Sequence, residues 1–359
     1  MSLHPNLWVM IITIGLVLGF MTILDFIEAR KNGEKHLMGK MKDYLNDLAR
    51  SEANLVPFEV KAIHSEASEI PYGVKQIQAT DLWDKGEKGS GIVVAILDTG
   101  IDRDHPDLKD QIIDGRNFTG EGSKENFTDG NGHGTHVAGT IAAIENGSGV
   151  VGVAPEAKLL IGKVLKDSGS GSYKSIIDGI EWATKWRGKN DERVRVISMS
   201  LGGSYNDPRM EKAILKAVSK GILVVVASGN EGDGSELTEE YGYPALYREC
   251  VTVAACDESG KLAEFSNNHK EVDIIAAGVD VLSTYPNSSY AVLSGTSMAT
   301  PHISGALALI IATGEKQFKR ELSESEIFAL LTKTSCSLGY EKSSEGNGLP
   351  ALGELYKHC

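Results

Sequence analysis

Gly91-Ile92-Val93-Val94-Ala95-Ile96-Leu97 is an unbroken apolar, β-branched run, and it stops at Asp98-Thr99-Gly100. A strand with one wet face alternates polar and apolar residues. A run that does not alternate is covered on both faces, as the strands of a parallel sheet are. Asp98 would then emerge at the C-terminal edge of that sheet, where open α/β folds place their sites. Val194-Arg195-Val196-Ile197-Ser198-Met199 leads in the same way into Ser200-Leu201-Gly202-Gly203, and Gly221 to Ala227 leads into Ser228-Gly229-Asn230. Between these strands His133 opens a small, apolar run (Val137, Ala138, Gly139, Ile141, Ala142, Ala143) that suits a helix packed closely on a sheet. Ser297 likewise opens a helix-like run, Ile303 to Ala312, with Pro301 early enough to fall in a first turn, so that Ser297 stands at a helix N-terminus. The fold class expected is α/β, a mostly parallel central sheet with helices on both faces. The chain of 359 residues leaves room for one domain of about 290 residues after a shorter N-terminal part.

Three segments carry the chemistry: Ile96-Leu97-Asp98-Thr99-Gly100, Gly132-His133-Gly134-Thr135-His136, and Gly295-Thr296-Ser297-Met298-Ala299-Thr300-Pro301. A serine hydroxyl is a poor nucleophile at neutral pH. It needs a base within hydrogen-bond reach, and the base needs a third group to fix its tautomer. His133 can take the Ser297 proton and return it to a leaving amine, while Asp98 holds the other ring nitrogen. Each residue alone has an ordinary reading: Asp98 as a turn residue, Ser297 as a helix cap, His133 as a satisfied core histidine. Their joint appearance with flanking glycines favours the chemical one. His133-Gly134-Thr135-His136 lacks the glutamate and spacing of a zinc-protease helix. Gly295-Thr296-Ser297-Met298-Ala299 is not the Gly-x-Ser-x-Gly elbow of α/β-hydrolases. His136 and His302 are therefore read as packing or hydrogen-bonded histidines.

The order Asp, His, Ser and these motifs together resemble the subtilase family of serine proteases, from about Ile70 to the C-terminus. The resemblance implies a serine endopeptidase working on polypeptides through an acyl-enzyme, with Asn230 as the side-chain donor of the oxyanion hole. It implies that Ser200, Leu201 and Gly202 on one side and Gly169 and Gly171 on the other clamp an extended substrate by strand addition. Leu201 to Gly203, Ala227 to Gly229 and Gly242-Tyr243-Pro244 would line the pocket for the residue before the cut. They are small and uncharged, with Gly242 at the pocket base, so an apolar or aromatic residue and broad specificity are expected. Tyr173 would cap the pocket for the fourth residue upstream. A structural Ca²⁺ is implied on Ile144 to Val150, with side-chain oxygens from Asp107 and Asn146 and carbonyls from Ile144, Ser148 and Val150. The family's amide ligand falls on about Ser68, a weaker one. A narrow-specificity regulatory protease and a non-catalytic membrane scaffold are the alternatives.

The N-terminal part reads separately. Leu7 to Leu24 carries no charge, is followed by Arg30, Lys31, Lys35, Lys40 and Lys42, and lacks the basic start and cleavage site of a signal peptide. It is expected to be a hydrophobic transmembrane anchor (1–24), giving a single-pass cell-membrane protein with its catalytic domain (68–359) in the cytoplasm. With Met38 or Met41 as the true start the protein would be simply cytoplasmic. Residues 25–67 form a linker and extension, with helical spacing over Lys40 to Arg50. Within it, Leu55-Val56-Pro57-Phe58 resembles the Leu-Ile-Pro-Tyr/Phe motif of the intracellular subtilisins of Bacillus-type bacteria. There that motif lies across the active site and holds the precursor inactive. The resemblance also allows a homodimer. Net charge is −13 and no basic patch appears, so no nucleic-acid partner is expected. Four cysteines (Cys250, Cys256, Cys336, Cys359) match no metal spacing, and Cys250 and Cys256 flank an apolar run as core residues do.

Overall fold

The structure, a computed structural model, describes residues 52–357. The anchor expected at 7–24, the helical spacing over 40–50 and Cys359 lie outside them. The described chain starts with β1 (Glu52–Leu55), β2 (Glu59–His64), β3 (Ser68–Glu69) and two helical turns, α1 (Tyr72–Gln76) and α2 (Ala79–Trp83). The next elements are β4 (Val93–Asp98), β5 (Ile112–Asn117), α3 (His133–Ala142), β6 (Gly149–Val150) and β7 (Lys158–Lys163). After them come β8 (Ser170–Ser172), α4 (Tyr173–Lys185), β9 (Val194–Met199), β10 (Leu201–Gly202), α5 (Pro208–Val218) and β11 (Leu223–Ala227). The last third holds β12 (Cys250–Cys256), β13 (Ile274–Ala277), β14 (Val281–Tyr285), β15 (Ser289–Ser294), α6 (Thr296–Phe318) and α7 (Glu324–Lys333).

Seven strands form one sheet in the order β13-β12-β11-β9-β4-β7-β5, and every neighbouring pair is parallel. The unbroken apolar runs are explained by the two faces. Val94 and Ile96 share one core with Val137 and Ile141 of α3 and Ile303 and Leu307 of α6. Val93, Ala95 and Leu97 share another with Ile176 and Ile180 of α4 and Met210 and Ile214 of α5. Successive side chains of β4 thus enter opposite cores, and all six of its residues are buried. The expected α/β class, parallel sheet and helix-covered faces are therefore present.

Chain order and sheet order diverge at β4. β5 and β7 lie on one side of it, while β9, β11, β12 and β13 follow on the other. Such a reversal opens a crevice at the C-terminal strand ends, because the loops leaving the adjacent strands run to opposite sides. Asp98 ends β4 at that point.

Helix α6 has Ser297 at its N-terminus as expected, but not Pro301 in its first turn. Its first residue is Thr296, so Pro301 is interior rather than in the first turn. A proline nitrogen cannot bond the carbonyl four residues back, which here is that of Ser297. That carbonyl instead accepts from the Ser200 hydroxyl at 3.1 Å. Among the described residues α6 is the one helix long and apolar enough to cross a membrane, and 94% of its apolar window is buried in the core.

Three buried histidines make folding pH-dependent. Burial pulls the His136 imidazole down to about 3 and those of His302 and His269 down to about 4. His136 Nε2 faces the Val281 and Ala291 carbonyls at 3.0 and 3.1 Å, and His302 Nδ1 faces the Met298 carbonyl at 2.8 Å. These rings stay neutral in the fold, whereas the unfolded chain protonates them near pH 6.5. Stability is thus fully present above about 6.5 and declines as pH falls toward the folded values, by about 1.4 kcal/mol per pH unit for each extra proton bound on unfolding. Thermal unfolding at pH 7.5, 6 and 5 should show a midpoint that drops at each step; a flat profile over that range would refute the assignment.

Candidate active site

Asp98, His133, Ser297 and Asn230 arrive from four elements at one end of the sheet. Asp98 closes β4 with its carboxylate buried, and Oδ1 accepts from the Thr99 amide at 2.7 Å. His133 is the first residue of α3, and its Nδ1 lies 2.8 Å from Asp98 Oδ1 and 3.0 Å from Oδ2. The carboxylate thereby fixes the tautomer with its proton on Nδ1 and leaves Nε2 as an acceptor. That Nε2 is buried and has no hydrogen-bond partner among the described residues. Gly132, which caps α3, has a φ of +106°, and a Cβ there would come within 2.3 Å of the Tyr285 ring. Only glycine permits the tight entry that aims His133 at Asp98.

Ser297 is the second residue of α6 and fully buried. Its Oγ donates to the Ser200 carbonyl at 3.3 Å. Asn230 follows β11. Its Oδ1 accepts from the Thr296 amide at 2.9 Å and the Thr296 hydroxyl at 2.8 Å, which fixes the amide with Nδ2 outward. That Nδ2 donates to the carbonyl of Pro57. A Cβ on Gly295 would meet Asn230 Nδ2 at 2.9 Å, Phe58 Cβ at 3.4 Å and the Pro57 oxygen at 3.6 Å, so this glycine opens the space in which the carbonyl sits.

The segment before Pro57 fills the rest of the crevice. β1 is the middle strand between β8 and β10, antiparallel to both, pairing Ala53 with Gly171, Asn54 with Gly202 and Leu55 with Leu201. Leu55 N–H also donates to the Gly169 carbonyl at 2.9 Å. The backbone edges expected at Gly169, Gly171, Leu201 and Gly202 are thus joined by a strand from the same chain. Tyr173 packs in the cluster that holds Ala53, and its hydroxyl donates to the Tyr205 carbonyl at 2.8 Å. Val56 is buried, with a methyl carbon 3.8 Å from where a Cβ on Gly202 would be. Gly203 and Tyr243 exchange backbone hydrogen bonds at 2.9 and 2.8 Å, and nothing lies within 4 Å of a Cβ built on Gly242. Gly229 has φ +119° and backs onto the Asn267 amide. Phe58 then covers the site, its ring centroid 4.9 Å from that of His133.

Asp107 and the loop from Ile144 to Val150 meet about one carboxylate. Asp107 is buried; Oδ1 accepts from Asn146 Nδ2 at 2.8 Å, and Oδ2 accepts from the Val150 amide at 3.1 Å and the Tyr290 hydroxyl at 3.0 Å. Ser68 pairs with Gly149 through β3 and β6, so it too reaches this loop. The oxygens suit a hard cation in kind. The Asn146 amide, however, presents nitrogen rather than oxygen to Asp107, and no cluster of three His, Cys, Asp or Glu side chains occurs among the described residues.

Asp129 was not singled out from the sequence. It is buried and accepts from Thr99 Oγ1 at 2.9 Å, Asn131 N at 3.0 Å, Gly132 N at 2.9 Å, Thr135 N at 2.9 Å and Thr135 Oγ1 at 2.6 Å. One carboxylate therefore ties the residue after Asp98 to the first turn of the His133 helix. Its position four residues before His133 and just outside a helix start was the available signal. Thr296, which orients Asn230, was visible only as a neighbour of Ser297.

A family model described as the subtilase family, Peptidase S8, matches residues 89–349. The chain is 52% identical over 300 residues to the intracellular serine protease of Paenibacillus polymyxa, spanning 83% of this chain and 90% of that protein. It is 50% identical over 300 residues to the major intracellular serine protease of Bacillus subtilis strain 168, spanning 83% and 92%. It is 45% identical over 275 residues to subtilisin DY of Bacillus licheniformis, spanning 76% and 94%. The names of the first two overturn the cell-membrane localisation expected from residues 7–24, since both are intracellular enzymes.

Replacing Asp129 by Ala removes the common acceptor for four residues. Urea unfolding of the full chain at pH 7 should show a loss of about 3 kcal/mol, as for a charged acceptor whose buried donors are stranded. A loss below about 1 kcal/mol would mean that water takes over its bonds.

Proposed function

Because this chain belongs to the subtilase family and is a subtilisin-like serine protease, we propose that Ser297 is its nucleophile, His133 its general base and Asp98 the group that orients His133. The N-terminal extension holds the enzyme inactive until it is cut away. Ser297 attacks the scissile carbonyl while His133 Nε2, free to accept, takes the hydroxyl proton and then gives it to the leaving amine. Water attacks the acyl-enzyme by the same route. Asn230 Nδ2 and the Ser297 backbone N–H hold the oxygen of the tetrahedral intermediate, with Thr296 keeping the Asn230 amide turned the right way.

The observation that carries inhibition is the Pro57 carbonyl on Asn230 Nδ2. The strand pairing puts Leu55 opposite Leu201, and a Val56 methyl lies 3.8 Å from where a Cβ on Gly202 would be. In a substrate, the residue in that pocket also carries the carbonyl that enters the oxyanion hole. Here the pocket is met by Val56 and the hole by Pro57, one residue later. Proline has no N–H with which to register on the cleft wall, so the extension binds like substrate with its carbonyl one residue out of step. Phe58 over His133 excludes water as well. His64 at the end of β2 and residues 65 and 66 just past it are exposed, so a cut between Ile63 and Ser68 is sterically open.

The small, uncharged pocket walls support broad specificity for an apolar or aromatic residue before the cut. Ca²⁺ bound by Asp107, Asn146 and the carbonyls of Ile144, Ser148 and Val150 would pin the loop behind α3. Asn146 needs only an amide rotation to present its oxygen. The two relatives named intracellular support a site of action inside the cell.

The test compares hydrolysis of a chromogenic peptide with an aromatic residue before the cut, with calcium present, by residues 25–359, residues 65–359, and the shorter form carrying Ser297→Ala. The short form alone should cut, and Ser297→Ala should lower its rate by at least about a thousandfold. Equal rates for the two intact forms would reduce the extension to a tether. A folded short form no better than its Ser297→Ala partner would turn the protein into a non-catalytic scaffold.

A further inference from the structure

The chain beyond Phe58 shows where the leaving half of a substrate goes. Just past the Pro57 carbonyl it enters β2, antiparallel to β15, pairing Glu59 with Ser294, Val60 with Leu293, Ala62 with Val292, Ile63 with Ala291 and His64 with Tyr290. A bulge at Val292/Leu293 lets Lys61 pass without a partner. β15 ends at Ser294, so this edge leads directly through Gly295 and Thr296 to Ser297.

β2 is held there by its backbone. Five of its six residues are exposed, with Val60 at 44% and Ile63 at 58% of full exposure. Its Lys61–Asp280 ion pair is also exposed and adds little to stability. β15, by contrast, is rigid without β2. It forms a five-pair hairpin with β14, and Ala291 and Leu293 pack with Val281 and Met298 in a buried cluster. When the extension leaves, β15 keeps its shape and presents a row of unpaired N–H and C=O groups beside the nucleophile.

We propose that this edge is a leaving-side binding track. It takes the extended backbone of an unstructured polypeptide, past the third residue after the cut and as far as the seventh, the position that His64 now holds. The inference rests on the reading that β1 and β2 occupy the substrate's path. Because β2 offers its side chains to solvent, recognition along the track is through backbone hydrogen bonds and tolerates most sequences, but not proline. The track lies away from the reacting atoms, so it binds substrate and transition state alike. It lowers KM and leaves kcat unchanged.

The full chain is processed until intact mass shows residues through Ile63 gone. It is then assayed on peptides with a constant segment before the cut and two, four, seven or ten residues after it. KM should fall by about three- to tenfold between two and seven residues, the net worth of a few added backbone hydrogen bonds, and level off at ten. Proline at the fifth and sixth positions after the cut should abolish the gain, whereas serine or glutamate there should not. A KM independent of length, or a gain that survives proline, overturns the track. Affinity of the same peptides for processed Ser297→Ala chain, by fluorescence anisotropy, gives the length dependence without turnover. A length-dependent affinity beside a wild-type chain that cuts nothing would keep the track and overturn the protease mechanism instead.

Discussion

The reversal of winding at β4 is the constraint on which the site depends. Because the chain adds β5 and β7 on one side of β4 and then crosses to the other side for β9 and β11, the C-terminal ends of β4, β9 and β11 face a common crevice. Asp98, Ser200 and Asn230 stand just at or beyond those ends, and the α3 and α6 N-termini deliver His133 and Ser297 from one face. The supporting bonds are local and buried. Asp129 binds the β4 exit to the α3 entry, Thr296 orients Asn230, and the Ser297 carbonyl that Pro301 leaves without a helical donor is taken by the Ser200 hydroxyl. The geometry is therefore set by side chains outside the proposed triad, which lets Asp98, His133 and Ser297 sit at strand ends and helix starts without strain.

The proposed inhibition would use the same crevice for both roles of the chain, enzyme and inhibitor. A cleft that reads backbone cannot reject a backbone of its own. β1 completes a three-stranded antiparallel sheet with β8 and β10, and β2 adds to the free edge of β15. What distinguishes the extension is register: Val56 meets the pocket wall while Pro57 supplies the carbonyl held by Asn230. On the proposed reading, affinity and resistance to cutting come from different residues of one short motif. Release needs no refolding of the sheet, only loss of two short strands of which β2 is hardly packed.

Much of this was legible in the residues. Strands covered on both faces appear as unbroken apolar runs, so β4 and β11 could be placed, β9 could be placed despite Arg195 and Ser198, and Asp98, His133, Ser297 and Asn230 stand beside glycines whose positions match their motifs. Ser297 was placed at the α6 N-terminus, but Pro301 reads as a first-turn residue and is interior; Ser200 satisfies the carbonyl that proline abandons. β2 has no apolar face to recognise, since its partner is a backbone edge contributed more than two hundred residues later in the chain. Asp129 was passed over for a related reason. An acidic residue in a glycine-rich loop looks like a surface turn until its five donors are brought to it.

Covalent labelling of Ser297 with a small fluorophosphonate, followed by intact mass on the full chain before and after the extension is released, tests the sealed crevice most directly. The account predicts that the released form is labelled stoichiometrically within minutes. The intact chain should react at least about a hundredfold more slowly, because Phe58 and the Pro57 carbonyl occupy the space beside His133 and Asn230. Labelling of the intact chain at the same rate would contradict it, since the nucleophile would then be open to solvent with β1 and β2 in place.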